Sequence, residues 1–205
     1  YKRQFFYNWE YFQNNLLEIF LSIKIDENGW NFVGYRGLSS HGATIGIILS
    51  IILYKIKYKY ESVLWIFDRL VIVVAFGGML VRIGNFFNSE IVGNYTNSNF
   101  GVIFLNRSET LPRHPAQLYE SFGYLILFII LYTLYHKTKL RDKKGFFFGF
   151  FLIFLFGVRF VVEYVKESQG GIENYLGLLT TGQWLSIPFM LIGLIILLRS
   201  NLKNI

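Results

Sequence analysis

Residues 146–165 read FFFGFFLIFLFGVRFVVEYV, and this stretch decides the fold. A helix of about 20 residues, rising roughly 1.5 Å per residue, is as long as the hydrocarbon core of a bilayer is thick. Arg159 and Glu163 are its only charged residues, so apolar side chains occur on every side of such a helix. A helix that is apolar all round lies in a membrane or in the core of a large protein. The stretch therefore predicts a transmembrane helix.

Four more stretches of this kind flank it, at 42–58, 65–87, 118–135 and 184–198. Of the 205 residues, 53% are hydrophobic, 20% are aromatic and only 16% are charged, whereas about 25% are charged in a soluble domain. We therefore predict an all-α fold, a polytopic transmembrane helical bundle of about five spans. A single domain is expected over 1–205, with an extracytoplasmic or interfacial arm at 1–40 and the helical bundle at 41–205. An apolar pattern at 16–23 predicts a short helix of that arm lying in the membrane interface.

The basic residues predict the orientation of the bundle, because short cytoplasmic loops are enriched in Lys and Arg. The formal net charge is +7, and the basic residues gather after the first, third and fifth spans. They are Lys55, Lys57, Lys59, Lys137, Lys139, Arg141, Lys143, Lys144, Arg199 and Lys203. These segments and the C-terminus are expected in the cytoplasm, while 1–40, 88–117 and 166–183 form the extracytoplasmic region. The pattern is one of membrane topology, so no nucleic-acid partner is expected.

The chain has no Cys, which excludes disulfides, a thiolate nucleophile of its own and thiolate metal sites. No set of His and carboxylate residues has metal-ligand spacing, so neither a metal nor another cofactor is expected. The sequence begins Tyr1-Lys2-Arg3, without Met or an evident signal peptide, so we expect further N-terminal sequence in the complete protein.

Charged residues inside the spans are the first functional candidates, because an Arg at mid-bilayer costs about 2.5–3.5 kcal/mol on insertion scales. Arg159 lies well inside the fourth span, and Glu163, four residues later, shares its helix face. An internal ion pair that only orders the bundle is the structural alternative. Arg82 ends the second span, and Asn85 projects from the same face. Snorkelling of Arg82 to the interface is the alternative there, but Asn88, Glu90 and Gly93 follow within the same polar run.

Two histidines stand beside predicted spans. His41 precedes the first span, and it is either a helix-cap residue at the interface or a general base, since imidazole titrates near neutral pH. His114 precedes Pro115 at the start of the third span, and a structural role explains it better. Gln117 and Glu120 in the same segment are the more inward-facing candidates.

The predicted topology brings these polar residues toward the outer leaflet. They are His41, Arg82, Asn85, Glu90, Arg159 and Glu163. Two guanidinium groups beside an imidazole suit a phosphate-bearing ligand and a proton acceptor, because guanidinium binds phosphate oxygens in a bidentate manner. A phosphate-bearing ligand reached from within a bilayer is a phospholipid. The residues therefore predict a phospholipid-handling site, and an enzymatic one.

Five ordered blocks of sequence resemble the prolipoprotein diacylglyceryl transferase family of bacterial inner-membrane enzymes. The blocks are Ser40-His41-Gly42-Ala43-Thr44-Ile45-Gly46; the set Arg82, Gly84, Asn85, Asn88, Glu90 and Gly93; Arg113-His114-Pro115-Ala116-Gln117-Leu118-Tyr119-Glu120; Arg159 with Glu163; and Gly182-Gln183-Trp184-Leu185-Ser186-Ile187-Pro188. The resemblance covers nearly the whole chain, and it implies that N-terminal spans of the family are missing here.

The resemblance implies transfer of the diacylglyceryl group of phosphatidylglycerol to the lipobox Cys thiol of a preprolipoprotein signal peptide, giving a thioether and glycerol phosphate. It implies His41, Arg82 and Arg159 as catalytic residues: the arginines hold the phosphate, and His41 takes the thiol proton. Asn85, Asn88, Glu90, Gly93, Gln117, Glu120 and Glu163 are the implied substrate-binding residues. Membrane lipids are the other implied partners, and the implied location is the bacterial inner membrane, with the active site toward the outer leaflet.

Two other functions compete with this one. A transporter or scramblase for an anionic lipid or solute would use the same Arg residues, but it needs no proton acceptor and is expected to show inverted repeats, which the sequence lacks. A purely structural membrane subunit would bind no phospholipid specifically.

Overall fold

The computed structural model describes residues 23–26, 29–32, 40–58, 62–167 and 179–202. The chain divides into two compact units, Tyr1–Tyr60 and Glu61–Ile205. The expectation of a single domain over the whole chain therefore stays a prediction, and the two units are described separately.

The first unit contains a hairpin and one helix. Strands β1 (Ile23–Asp26) and β2 (Gly29–Phe32) pair in antiparallel fashion, with Ile23 opposite Phe32 and Asp26 opposite Gly29. Helix α1 (Ser40–Tyr58) coincides with the predicted first span. The interfacial helix predicted at 16–23 lies outside the described residues except for Ile23, which belongs to β1. The hairpin was not predicted from the sequence.

The second unit is a bundle of four helices. They are α2 (Val63–Phe87), α3 (Ala116–Lys137), α4 (Phe146–Val162), which continues into a 3-10 turn at Glu163–Val165, and α5 (Thr181–Leu202). In the part of the chain that the structure describes, these four are long and apolar enough to cross a membrane. The predicted multi-spanning helical fold is therefore confirmed. Helix α1 is not among the four, and its crossing of the membrane stays a prediction.

The core of the bundle lies where α2, α3 and α4 meet. Its buried side chains are Val71, Ala75, Leu127, Leu131, Phe147, Phe151 and Leu152. Large apolar side chains on the outer faces, such as Val73, Ile129 and Leu191, are exposed. In water such faces would be unfavourable, whereas lipid tails cover them without cost.

Glycines bring α4 and α5 into close contact. A Cβ added to Gly149 would lie 2.8 Å from the carbonyl oxygen of Gly193, and a Cβ added to Gly193 would lie 2.8 Å from that of Gly149. Small residues at a crossing let two backbones approach, which is a common basis of helix association in membranes. This crossing fixes α5 against α4, and the site described below uses one end of that pair.

A buried carboxylate organises the other end of the bundle, where the basic residues between α3 and α4 lie. Asp68 accepts hydrogen bonds from the backbone N–H groups of Gly145 (2.6 Å) and Phe148 (2.8 Å). These N–H groups belong to the first turn of α4 and have no partner within the helix itself. Asp68 therefore caps α4 from the neighbouring helix, a role that the sequence did not suggest.

The connection between α2 and α3 is folded rather than extended. Val102 and Arg113 exchange two backbone hydrogen bonds of 2.9 Å, and this pairing closes a hairpin. The buried Arg113 side chain donates to Glu109 (2.6 Å), to Glu167 (3.2 Å) and to the carbonyl of Gly93 (3.0 Å). The Arg113 guanidinium beside it holds the pKa of Glu109 below its usual value. The connection is thus fastened to the segment that follows α4.

Candidate functional site

Four helix ends of the second unit meet at one point. They are the C-terminal ends of α2 and α4, with the 3-10 turn after α4, and the N-terminal ends of α3 and α5. These ends contribute Arg82, Arg159, Glu163, Glu120 and Gly182. Direct contacts join α2 to α3 and α4 to α5 there. The spans alternate in direction, so residues far apart in the sequence reach the same end of the bundle.

An ion pair joins α2 to α3. The Nε of Arg82 lies 2.6 Å from Oε2 of Glu120, whose side chain is 1% exposed, while that of Arg82 is 15% exposed. A buried carboxylate stays ionised only when a cation and hydrogen bonds compensate for the lost water. Glu120 therefore depends on Arg82, and it fixes where the Arg82 guanidinium points.

Lys166 extends this pair into a chain of charges. Its Nζ lies 3.5 Å from Oε1 of Glu120 and 3.5 Å from Oε2 of Glu163, and its side chain is 4% exposed. The backbone around it is paired with the segment after α2: Asn94 donates to the carbonyl of Val165 (2.8 Å), and Glu167 donates to that of Val92 (3.2 Å). Lys166 was not identified from the sequence.

The start of α5 lies against Glu163. A Cβ added to Gly182 would overlap the Glu163 carboxylate, so a larger residue there would displace that carboxylate. The first turn of a helix carries free N–H groups and a partial positive charge, which favours a carboxylate nearby. Gln183, which is buried, donates to the carbonyl of Phe160 (3.3 Å) and accepts from the N–H of Thr180 (3.0 Å). These bonds fix the start of α5 to the last turn of α4.

Arg159 has an unused donor. Its Nε is buried and has no hydrogen-bond partner among the residues that the structure describes. Arg159 lies one turn before Glu163, which pairs with Lys166. Tyr124, whose side chain is buried, lies near both Arg82 and Arg159. A buried donor without a partner costs about 1–3 kcal/mol, so Arg159 is suited to an acceptor that a ligand supplies.

We call Arg82, Glu120, Arg159, Glu163 and Lys166 the charged cluster. Three of its side chains are cations and two are carboxylates, which leaves one positive charge unbalanced. The cluster includes three of the residues predicted as one site from the sequence, Arg82, Arg159 and Glu163, and also Glu120. Its chemistry is that of an anion-binding site with one open cationic donor.

The polar run after α2 is held by its backbone. Gln117, whose side chain is fully buried, donates to the carbonyl of Glu90, and the Glu90 N–H donates to the carbonyl of Asn85 (2.9 Å). Asn85 is half-buried, whereas Asn88 and Glu90 are exposed. Gln117 thus fixes the shape of this turn, while the exposed Asn88 and Glu90 are accessible to a ligand.

Gly93 and His114 lie side by side next to this run. A Cβ added to Gly93 would lie 2.6 Å from the carbonyl oxygens of both His114 and Val165, so a larger residue cannot fit. The imidazole Nδ1 of His114 is 3.2 Å from the hydroxyl of Tyr119. The close packing alone accounts for a glycine at position 93.

His41 is the predicted site residue that belongs to the other compact unit. It is the second residue of α1, in the first compact unit, and its side chain lies outside the described residues. Its role as a proton acceptor stays a prediction. In the described part of the chain no group of three or more His, Asp or Glu side chains could hold a metal ion.

Comparison with known proteins gives a consistent result. The family model described as prolipoprotein diacylglyceryl transferase matches residues 3–199. A protein of Tolumonas auensis named phosphatidylglycerol–prolipoprotein diacylglyceryl transferase is 46% identical over 164 residues, which cover 80% of this chain and 62% of that protein. Proteins of the same name from Bacteroides fragilis and Rickettsia typhi are 42% and 43% identical, over 92% and 82% of this chain and 68% and 64% of their own lengths. The chain thus spans about two thirds of the relatives it matches.

Proposed function

The chain belongs to the prolipoprotein diacylglyceryl transferase family, and from that premise we propose that its protein transfers the diacylglyceryl group of phosphatidylglycerol to a prolipoprotein. The acceptor is the thiol of the lipobox Cys in the signal peptide. The products are a thioether-linked diacylglyceryl group and glycerol phosphate. The names of the relatives support both substrates, and the absence of Cys from this chain fits a nucleophile that arrives on the substrate.

The unbalanced charge of the charged cluster is the observation that supports this function most strongly. The phosphodiester of phosphatidylglycerol carries one negative charge, which matches the one positive charge left by three cations and two carboxylates. The buried Nε of Arg159 offers a donor to a phosphate oxygen. Bound lipid would therefore neutralise the cluster and satisfy its open donor in a single step.

The cluster also suits the chemistry of the transfer. The thiolate attacks the diacylglyceryl carbon that bears the phosphate, a C–S bond forms, and the C–O bond to the phosphate breaks. The bonding electrons move onto the leaving phosphate oxygen, so negative charge develops beside Arg82 and Arg159. A guanidinium already fixed by a neighbour, as that of Arg82 is by Glu120, stabilises that charge without having to reorganise. His41 takes the proton of the thiol, which makes the thiolate available.

The remaining predicted residues act around this centre. Asn85, Asn88 and Glu90 position the glycerol headgroup, and the hydrogen bond from Gln117 to the carbonyl of Glu90 supports this role by fixing their turn. Gly93 keeps the same segment close to the start of α3. Glu120 and Glu163 hold the cations in place.

The protein is a multi-pass membrane protein, and we place it in the bacterial inner membrane with the charged cluster toward the outer leaflet. The basic residues between α3 and α4 and Arg199 in the last turn of α5 support this orientation, because they lie at the bundle end opposite the cluster. The C-terminus is then cytoplasmic, and the cluster meets lipoprotein precursors as they leave the cytoplasm.

The test uses the full-length protein, phosphatidylglycerol vesicles and a lipobox peptide with one Cys, followed by mass spectrometry of the peptide. We expect a gain of one diacylglyceryl unit. Arg159→Lys should lower turnover about 100-fold although the charge is kept, because the bidentate contact is lost. Arg199→Lys, at the other end of the bundle, is the matched control and should keep normal turnover. An unmodified peptide in the presence of bound lipid would instead favour a transporter or scramblase.

A further inference from the structure

Lys166 is the one member of the charged cluster to which no role in the reaction has yet been given. It follows the 3-10 turn that ends the fourth span, at a position where a Lys is ordinarily solvated. Its side chain is nevertheless only 4% exposed, and its ammonium lies between two carboxylates. A buried Lys of this kind has a specific reason to be there, because the loss of its hydration must be compensated.

The two carboxylates provide that reason. Glu120 and Glu163 each lie 3.5 Å from the same Nζ, and both are almost fully buried. Two buried carboxylates beside the same group repel one another, and without a cation between them they would move apart. Lys166 therefore holds both carboxylates at the same place.

Glu120 is paired with one arginine of the cluster, and Glu163 shares a helix face with the other. Glu120 holds the Arg82 guanidinium at 2.6 Å. Glu163 lies one turn after Arg159 on the same helix face and is confined by Gly182 at the start of α5. Displacement of either carboxylate would shift the donors that face the lipid phosphate.

We propose that Lys166 is a positioning residue of the transferase, which holds Glu120 and Glu163 together and thereby sets the spacing of Arg82 and Arg159 for the lipid phosphate. This inference rests on the proposed function. Lys166 itself need not touch the substrate, because its ammonium lies between the two carboxylates, 3.5 Å from each. Its contribution is to the geometry of the anion site.

A purely structural role makes a different prediction about kinetics. If Lys166 only fastened the segment after α4, its loss would lower the amount of folded enzyme, and Vmax would fall while kcat per active molecule and both KM values stayed the same. Loss of positioning weakens the contacts with the phosphate, so the KM for phosphatidylglycerol rises and kcat falls, while the KM for the lipobox peptide is unchanged.

The experiment compares Lys166→Met, Lys166→Arg and the control Lys137→Met in the full-length protein, with active protein quantified and both substrates varied. Lys137 is exposed in the last turn of α3, and its replacement should change neither KM. For Lys166→Met we expect kcat/KM for the lipid to fall about 100-fold, with a raised lipid KM. Lys166→Arg, which keeps the charge and can contact both carboxylates, should recover to within about tenfold of the unmodified protein.

Three results would overturn the inference: normal kinetics in Lys166→Met, a fall in kcat alone, or no recovery in Lys166→Arg. If Lys166→Met does not fold, the inference is tested by the KM of Lys166→Arg for phosphatidylglycerol. A KM tenfold or more above that of the unmodified protein contradicts the expected recovery. Failure of the proposed function has a different signature, because the unmodified protein would then leave the peptide unchanged.

Discussion

Replacing Gly182 by Ala adds one methyl group at the point where α5 begins. That methyl group would overlap the carboxylate of Glu163, so the carboxylate must move by about 1 Å to reach ordinary van der Waals contact. The shift disturbs the contact between Glu163 and Lys166, whose charged groups are 3.5 Å apart in the structure. In an active site a misplacement of about 1 Å costs on the order of 100-fold in rate. We therefore expect kcat/KM for phosphatidylglycerol to fall about 100-fold.

Gly182→Ala is expected to lower activity without lowering the stability of α5, so a loss of activity can be distinguished from unfolding. Ala is favoured over Gly within a helix by about 0.5–1 kcal/mol, so Gly182→Ala is not expected to unfold α5 by itself. Gly77→Ala is the matched control, because no atom lies within 4 Å of the Cβ it would add in α2. Both variants would be measured in the peptide lipidation assay and by thermal unfolding in detergent. Equal activity of Gly182→Ala and Gly77→Ala would refute the claim that activity depends on the position of the Glu163 carboxylate.

Two further predictions concern parts of the fold away from the cluster. Asp68→Ala leaves the N–H groups of Gly145 and Phe148 without their acceptor, so stability should fall by about 1–3 kcal/mol. Thermal unfolding measures this, with the exposed Asp142→Ala as control; activity per folded molecule should be unchanged, and equal melting temperatures for the two variants would contradict the capping role. Glu109 has a pKa held below its usual value by the Arg113 guanidinium in the folded protein. A depressed carboxyl pKa stabilises the fold above the unfolded value of about 4.3, and this contribution is lost as pH falls through the folded pKa. Below about pH 4 the melting temperature of Glu109→Gln should therefore fall less with pH than that of the unmodified protein. The same pH dependence in both proteins would argue against the ion pair of Glu109 with Arg113.

The helices could be predicted from the sequence because a bilayer sets their length. Each helical segment of the second unit contains or coincides with one predicted span; these spans are 65–87, 118–135, 146–165 and 184–198. The structure of the arm at 1–40 was harder to predict, because nothing in its composition indicated the hairpin of β1 and β2. Each strand has only four residues, and an apolar–polar alternation over so short a stretch is a weak indication of a strand.

The charged cluster could be predicted only in part. Arg82, Arg159 and Glu163 were evident because charges inside apolar runs are costly, and Glu120 because it opens a span. Lys166 was missed since a Lys just beyond a span normally lies in water, and its burial results from pairing with the segment after α2. Gly182 was recognised only as part of a motif, because the neighbour that excludes a side chain there comes from another helix.

The central claim is that the charged cluster holds phosphatidylglycerol while its diacylglyceryl group, rather than its headgroup, moves to a thiol. The most direct test supplies the full-length protein with phosphatidylglycerol that carries deuterium in the acyl chains and carbon-13 in the headgroup glycerol, together with a lipobox peptide. The account predicts that the modified peptide carries all of the deuterium and none of the carbon-13, which appears instead in soluble glycerol phosphate. Carbon-13 on the peptide, or a peptide that stays unmodified while lipid is bound, would contradict it.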